Sequence, residues 1–481
     1  MNSYKMNYAL NFLDYTIVKL VIIVSFAVTI FIIFNPISTL GGELLFLLPL
    51  TLLICAIIFP KLILYQKKGW GLKIFYIVIL VRYLLVPYLI CVQGHFSIGG
   101  IPAYALTHYS HPESYFYAII SMILELLTSL FVINKYYDIT YSNILLREQT
   151  KRGFYPSLKM VGIILTLFFL YLIVVRGGIQ NFIRIGIVTE DLDYDSQAGH
   201  HGIDVDIIKP LMGFLVITVT SSFRKLSGNN SLLSFVVPMA IAIFSCVLIV
   251  GNNRMQMVYL ALCSIAVLSK AFPDYRRRIY SIIFPILGVI LVSFTFIKQF
   301  DVSVATGDLN NFDNKDAIVG LTEYVCGPEN TAHTYDNYLK RGMDDTPKTI
   351  ITDILKYNYC LRLPILSELK TPVLNNKTII DYAVDRSEMI SVAGQCAFYG
   401  HGMIGGWLLD ILSFFFIVRL LIFFEIKSKV AENLGIIYIY NWCAILFGVS
   451  MCYCLITLWY NITYVPVWIW VLLKLNDLGR K

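Results

Sequence analysis

The sequence predicts an all-α polytopic membrane protein with about 12 transmembrane helices, and three observations carry that expectation. Of 481 residues, 57% are hydrophobic and only 14% are charged, against about 25% charged residues in an ordinary soluble domain. Apolar runs near the roughly 20 residues that cross a bilayer recur almost from end to end. Lys and Arg gather in alternate connections between those runs, as topology signals do.

The expected spans are 17–34, 43–60, 74–92, 115–134, 160–175, 207–222, 231–250, 255–270, 279–297, 403–424, 435–454 and 457–474. The first reads as a retained anchor, because Asn35-Pro36-Ile37-Ser38 follows it in place of a small-residue cleavage pattern. The last two require a very tight turn near Tyr460 and Asn461.

Positive charge alternates along the chain. Lys61, Lys67, Lys68 and Lys73 fill one connection, and Lys135, Arg147, Lys151 and Arg152 fill the next but one. Arg224 and Lys225 continue the pattern, as do Lys270 with Arg276 to Arg278, then Lys427, Lys429, Lys474, Arg480 and Lys481. The positive-inside rule therefore places both termini in the cytoplasm. The net charge of +7 is accounted for by these clusters and implies no nucleic-acid partner.

Three regions follow: 1–297 with nine spans and an outer loop at 176–206, a large outer loop at 298–402, and 403–481 with the last three spans. All seven histidines fall in or beside the outer loops, so chemistry is expected on that face. The long loop carries apolar runs such as Ile350 to Leu355, which predict short helices packed over the membrane part. No P-loop, dinucleotide fingerprint or zinc-protease motif occurs. Neither a metal nor a cofactor is implied. Most cysteines lie in or beside apolar runs, while Cys326, Cys360 and Cys396 lie in the long polar stretch and admit one disulfide.

Several residues demand explanation. Arg82 and Glu125 fall near the middle of the third and fourth spans, where a lone charge costs about 2.5–3.5 kcal/mol. They are expected to pair as a structural bridge or to form a polar wall for a lipid diphosphate. Asp410 lies inside the tenth span, just after Gly400-His401-Gly402-Met403-Ile404-Gly405-Gly406. Those glycines permit close helix approach or a re-entrant backbone. Arg254 opens the eighth span after Gly251-Asn252-Asn253, and Arg176 and Arg184 bracket the start of an outer loop. Each of the three arginines suits a snorkelling, interfacial role or bidentate recognition of a diphosphate. The acidic stretch Glu190 to Asp195 reads as a solvated loop rather than a metal site.

With its enlarged third and fifth outer loops, the pattern resembles the Wzy-type family of O-antigen and capsule polymerases. Val175-Arg176-Gly177-Gly178-Ile179 is similar to that family's glycine-rich entry to the third loop, and Gly251-Asn252-Asn253-Arg254 to its Gly-x-x-Arg turn. Tyr324 to Asn330 resembles its Tyr-x-x-x-Pro-x-Asn element, and Ser391 to Gly405 its glycine-rich return to the membrane. The arginine motif described for some members, with a glycine after ten residues, is not matched at Arg176 or Arg386.

The resemblance implies a GT-C-like architecture and a bacterial cytoplasmic (inner) membrane. It implies transfer of a growing glycan from undecaprenyl diphosphate to a second lipid-linked repeat unit, with a chain-length regulator as a further partner. In that frame Arg176, Arg184, Arg254 and Arg386 bind the diphosphate, and Glu329, Glu388, His333 and His401 are the candidate bases. Tyr324 and Tyr399 would stack against sugars. A glycan ligase and a lipid-linked oligosaccharide flippase remain the alternatives.

Overall fold

A computed structural model describes residues 12–37, 42–60, 69–93, 111, 113–147, 161–164, 166–167, 170, 209–224, 232–247, 254–289, 325–341, 350 and 391–478. Among these all regular structure is helical. The helices are α1 (Phe12–Phe34), α2 (Leu47–Ile58), α3 (Trp70–Leu80), α4 (Val86–Gln93), α5 (Glu113–Arg147), α6 (209–224) and α7 (Leu232–Val247). They continue with α8 (Arg254–Ala271), α9 (276–289), α10 (Pro328–Arg341), α11 (Val392–Tyr399), α12 (Met403–Val430), α13 (Leu434–Gly448) and α14 (Leu455–Leu478).

Among the described residues five helical stretches are long and apolar enough to cross a membrane: Thr16–Phe34, Trp70–Val92, Glu113–Ile144, Met403–Val430 and Leu455–Leu478. Large apolar side chains make up much of their outward faces. On α12, Ile404, Leu408, Leu412, Phe416 and Leu420 recur every fourth residue on the exposed side, while Asp410, Phe414, Val418 and Leu421 are buried. That inversion of the usual amphipathic pattern is what a lipid solvent demands.

Three expected boundaries move. The run at 43–60 is broken, with a 3-10 turn at Gly42–Leu44 before the 12-residue α2. The span expected at 115–134 belongs to a 35-residue helix that continues to Arg147. The break between the last two helices lies at the 3-10 turn Ser450–Cys452, not near Tyr460 and Asn461, which sit inside α14. Asn461 is buried there, so its polarity marks an interior position rather than a turn.

The chain divides into two compact units. One comprises Met1–Ser142, Asp313–Phe423 and Phe447–Tyr460, and the other Asn143–Phe312, Phe424–Leu446 and Asn461–Lys481. In the second unit α7 packs on α8, and Tyr438 stacks on Trp442, which meets Tyr259 edge-on. In the first unit α1 packs on α2 and α4, and Val18 and Val21 of α1 cluster with Ala56 of α2 and Tyr76 of α3.

Between α3 and α4 the helix widens into a π-turn, Val81–Leu85. Pro87 follows directly, and a proline both lacks the N–H for the carbonyl at i−4 and clashes with it. The π-turn absorbs that defect and makes Arg82 part of the widened turn.

The glycine-rich return is a tight helix–turn–helix corner. His401 and Gly402 both take positive φ, 50° and 125°, reversing the chain between α11 and α12. A Cβ on Gly405 would overlap the backbone oxygen of Gly400, and one on Gly406 would lie 2.9 Å from Ala397 Cα. Backbone cannot yield as a side-chain tip can, so Gly405→Ala is expected to cost at least about 1–3 kcal/mol, the usual range for overpacking. A lowered melting temperature of the detergent-purified full chain is the readout, and an unchanged one would show that the corner relaxes freely.

Candidate functional site

The first unit encloses a layer of buried polar groups at the level of the π-turn. Arg82 is fully buried, and its Nη1 donates to Glu125 Oε2 at 2.5 Å. Its Nε donates to the carbonyl of Cys326 at 2.9 Å. Tyr83 OH donates to Met122 O at 2.6 Å and lies 3.2 Å from Glu125 Oε2. The charges expected to pair across the third and fourth spans do so, and the structure adds a third partner from the long polar segment.

That partner is set by local conformation. Cys326 has φ 46°, a left-handed geometry that costs a non-glycine residue roughly 1–3 kcal/mol, and it presents its carbonyl to the guanidinium. The chain then enters α10 through Gly327 and Pro328. Proline suits a first helical turn, and Glu329 in that turn is favourably placed against the helix dipole. A Cβ on Gly327 would collide with Glu329 Oε2, so the glycine makes room for the carboxylate.

The helix α10 is polar in sequence yet buried along Glu329, Asn330, Thr331, Thr334, Tyr335 and Asp336. Tyr335 OH makes a short hydrogen bond with Ser121 Oγ, and burial holds its phenol well above the ordinary range. Asp336 accepts from the His111 backbone amide at 2.9 Å and faces its Nδ1 at 3.2 Å. Neither amide atom of Asn330 finds a hydrogen-bond partner among the described residues.

The helix α11 lies alongside. Ser391 caps it by accepting from Gly394 N at 3.1 Å, and its hydroxyl meets Thr331 Oγ1 at 3.3 Å. Gln395 ties three pieces together: Nε2 donates to Tyr399 OH at 2.9 Å, and Oε1 accepts the Leu455 amide that opens α14 at 2.6 Å. Asp410, fully buried on α12, has no hydrogen-bond partner for either oxygen among the described residues. Its electrostatic neighbours include Glu125, Arg82, Tyr83 and Tyr335.

Of the residues expected to act, the structure gathers Arg82, Glu125 and Asp410 into one layer. Glu329 is held at the entry to α10, and His333 lies half-buried one turn further along it. Tyr399 is half-buried, with its hydroxyl engaged by Gln395. His401 sits exposed in the corner. Arg254 is the first residue of α8, and its side chain lies outside what is described. Arg176, Arg184, Tyr324, Arg386 and Glu388 lie outside the described residues altogether. Sequence reasoning did not single out Tyr83, Ser121, Tyr335 or Gln395. Tyr335 follows Glu329 by six residues on one polar helix, a spacing with no signal until burial is known.

The cysteines form no disulfide among the described residues. Cys326 Sγ donates to Cys452 O at 3.2 Å, and Cys360, the third candidate, lies outside them. Burial pushes the Cys452 thiol up to about 12 and the Cys326 and Cys396 thiols well above their ordinary value. A raised thiol pKa means a neutral, unreactive thiol at pH 7, because the thiolate is the nucleophile. Maleimide at pH 7 should therefore leave Cys326, Cys396 and Cys452 unmodified in the folded protein and label all three after denaturation, as peptide mass mapping reads.

Among the described residues no three His, Cys, Asp or Glu side chains converge as metal ligands. What the layer offers is a guanidinium with one nitrogen, Nη2, unpartnered among those residues, beside two carboxylates in a water-poor setting. That combination can hold an anionic group or move a proton. Compared with protein-family models, curated proteins and solved structures, the chain matches none.

Proposed function

We infer that the chain crosses a bacterial cytoplasmic membrane about a dozen times, with both termini in the cytoplasm. On the outer face it polymerises undecaprenyl-diphosphate-linked oligosaccharide repeat units. The observation that carries this reading is the Arg82 layer. The long polar segment returns through Cys326 and α10 to bond a membrane-embedded arginine that also faces two carboxylates. A site of that kind lets a polar, anionic headgroup react while its lipid tail stays in the bilayer.

The transfer forms a glycosidic bond from the acceptor hydroxyl to the donor's reducing-end carbon and breaks that carbon's bond to the diphosphate. The hydroxyl proton passes to a base, and the lipid diphosphate departs with the bonding pair. Glu329 is a carboxylate within the Tyr324–Asn330 motif that suggested this function, and His333 shares its helix. Arginines hydrogen-bonding the departing diphosphate stabilise charge as it develops, and one preorganised donor is worth about 2.7–4 kcal/mol. Arg254, Arg176, Arg184 and Arg386 are assigned that role.

The test is a gel of surface polysaccharide from a deletion strain complemented with the intact protein or with Arg254→Ala. Polymerisation predicts a single repeat unit on deletion, a restored ladder with the intact protein, and loss of long chains with Arg254→Ala at normal abundance. Long polymer accumulating on its carrier lipid would instead identify a ligase, and repeats trapped on the cytoplasmic face a flippase.

A further inference from the structure

A second charged feature of the first unit lies on its apolar exterior and takes no part in the buried layer. Arg419 on α12 and Lys135 on α5 are both exposed. The Arg419 guanidinium lies 4.2 Å from the centroid of the Tyr136 ring and 5.9 Å from that of Phe415. The Lys135 ammonium lies 5.3 Å from the same Tyr136 centroid and 5.3 Å from that of Phe131. Tyr136 and Phe415 meet edge to face at 5.8 Å. One ring thus gathers two positive charges, separated by no more than the sum of their distances to its centroid.

No ion pair joins either cation to a carboxylate among the described residues; Asp138, one turn beyond Lys135, has interactions of its own. The surroundings are apolar, with Phe131, Phe416 and Leu420 exposed beside them. Aromatic faces attract cations, but they leave two like charges on one ring with no acid among the described residues paired to either.

Depth argues for what completes the cluster. Glu125 and Asp410 are electrostatic neighbours. Lys135 and Arg419 follow them by ten and nine residues along their helices, rises of about 15 Å and about 13.5 Å. With Glu125 near the middle of its span, half of a hydrocarbon core about 30 Å thick brings both cations to the level where acyl chains end and phosphates begin. The acyl chains would lie along the exposed stripe of α12.

We propose that Lys135, Arg419 and the Tyr136–Phe415 platform form a binding site for the headgroup of an anionic phospholipid drawn from the surrounding leaflet. The guanidinium fork suits a phosphate diester, and the ammonium adds a second donor. Snorkelling alone would account for a single cation. It does not account for two converging on one ring.

The full chain in nanodiscs of phosphatidylcholine doped with phosphatidylglycerol tests this by native mass spectrometry of retained lipid. The wild type should retain phosphatidylglycerol selectively. K135Q/R419Q should lower that retention about tenfold or more, since each basic residue near an anionic headgroup is worth roughly fivefold. A second measurement needs no variant. A photoactivatable phosphatidylglycerol should crosslink the wild type within 131–136 or 415–420. Crosslinks confined to other peptides overturn the proposal, as does equal retention by variant and wild type. Displacement of the bound phosphatidylglycerol by equimolar undecaprenyl monophosphate would also overturn it, making the occupant a carrier lipid rather than a bulk phospholipid.

Discussion

Arg82→Met should destabilise the protein by about 3–5 kcal/mol, the usual cost of removing one member of a buried ion pair. The substitution leaves the Glu125 carboxylate, fully buried, without its charged partner and 3.2 Å from a Tyr83 hydroxyl whose proton goes to the Met122 carbonyl. It also strips the Cys326 carbonyl of the donor that engages its left-handed turn. Glu125→Leu should cost a similar amount for the opposite reason, a guanidinium stranded in an apolar interior.

The double variant R82M/E125L should be more stable than either single, because an apolar pair of similar volume removes both desolvation penalties together. Equilibrium unfolding of the four proteins in mixed micelles gives the coupling energy. Additive losses would mean that the two charges do not depend on each other. The same four proteins also separate structure from chemistry. A double variant that folds and restores the polysaccharide ladder would reduce the pair to a strut. One that folds and makes no ladder would assign the pair to the chemistry, with Arg82 Nη2, which has no partner among the described residues, the group placed to meet the substrate headgroup.

The parts of this architecture legible in sequence are those written in side-chain polarity. A charge near the middle of an apolar run has few tolerable states, so Arg82 and Glu125 announced each other from 43 residues apart. The bilayer-length helices α1, α5, α12 and α14 were legible for the same reason. Backbone chemistry was not. A carbonyl carries no side-chain signature, so the approach of Cys326 to Arg82 across 244 residues had no trace in composition or spacing. Pro87 was visible, but its consequence, a π-turn rather than a kink or break, depends on how the neighbouring helices pack. α13 ends early, at Gly448, where the backbones approach closely: a Cβ there would lie 2.5 Å from the backbone oxygen of Gly71. The arginines chosen for the diphosphate were selected by residue type and by their place at the rims of the expected outer loops, and all five site residues outside the described part, Arg176, Arg184, Tyr324, Arg386 and Glu388, belong to those two loops.

Asp410→Asn is expected to leave the protein folded and abolish polymer formation, lowering the rate by about 10²–10⁴-fold, the range associated with losing a positioned proton-transfer group. The expectation follows from a conflict of costs. A carboxylate buried without a hydrogen-bond partner is among the least favourable groups a protein can retain, and its neighbour Glu125 adds like charge. The Arg82 guanidinium, its cationic neighbour among the described residues, is already bonded to Glu125 and to the Cys326 carbonyl. No packing contact among the described residues requires an acid at this position, since Asn has nearly the same shape and carries no charge to desolvate. If Asp410 were structural, Asn should serve as well or better, with an equal or higher melting temperature and an intact ladder. If it acts in the reaction, the same stability should accompany loss of the ladder, and Asp410→Glu, which keeps the acid but moves it by one methylene, should recover part of the chain length. Measuring melting temperature and chain length together on both variants therefore decides the role, because the structural and functional readings make opposite demands on one substitution that barely alters the fold.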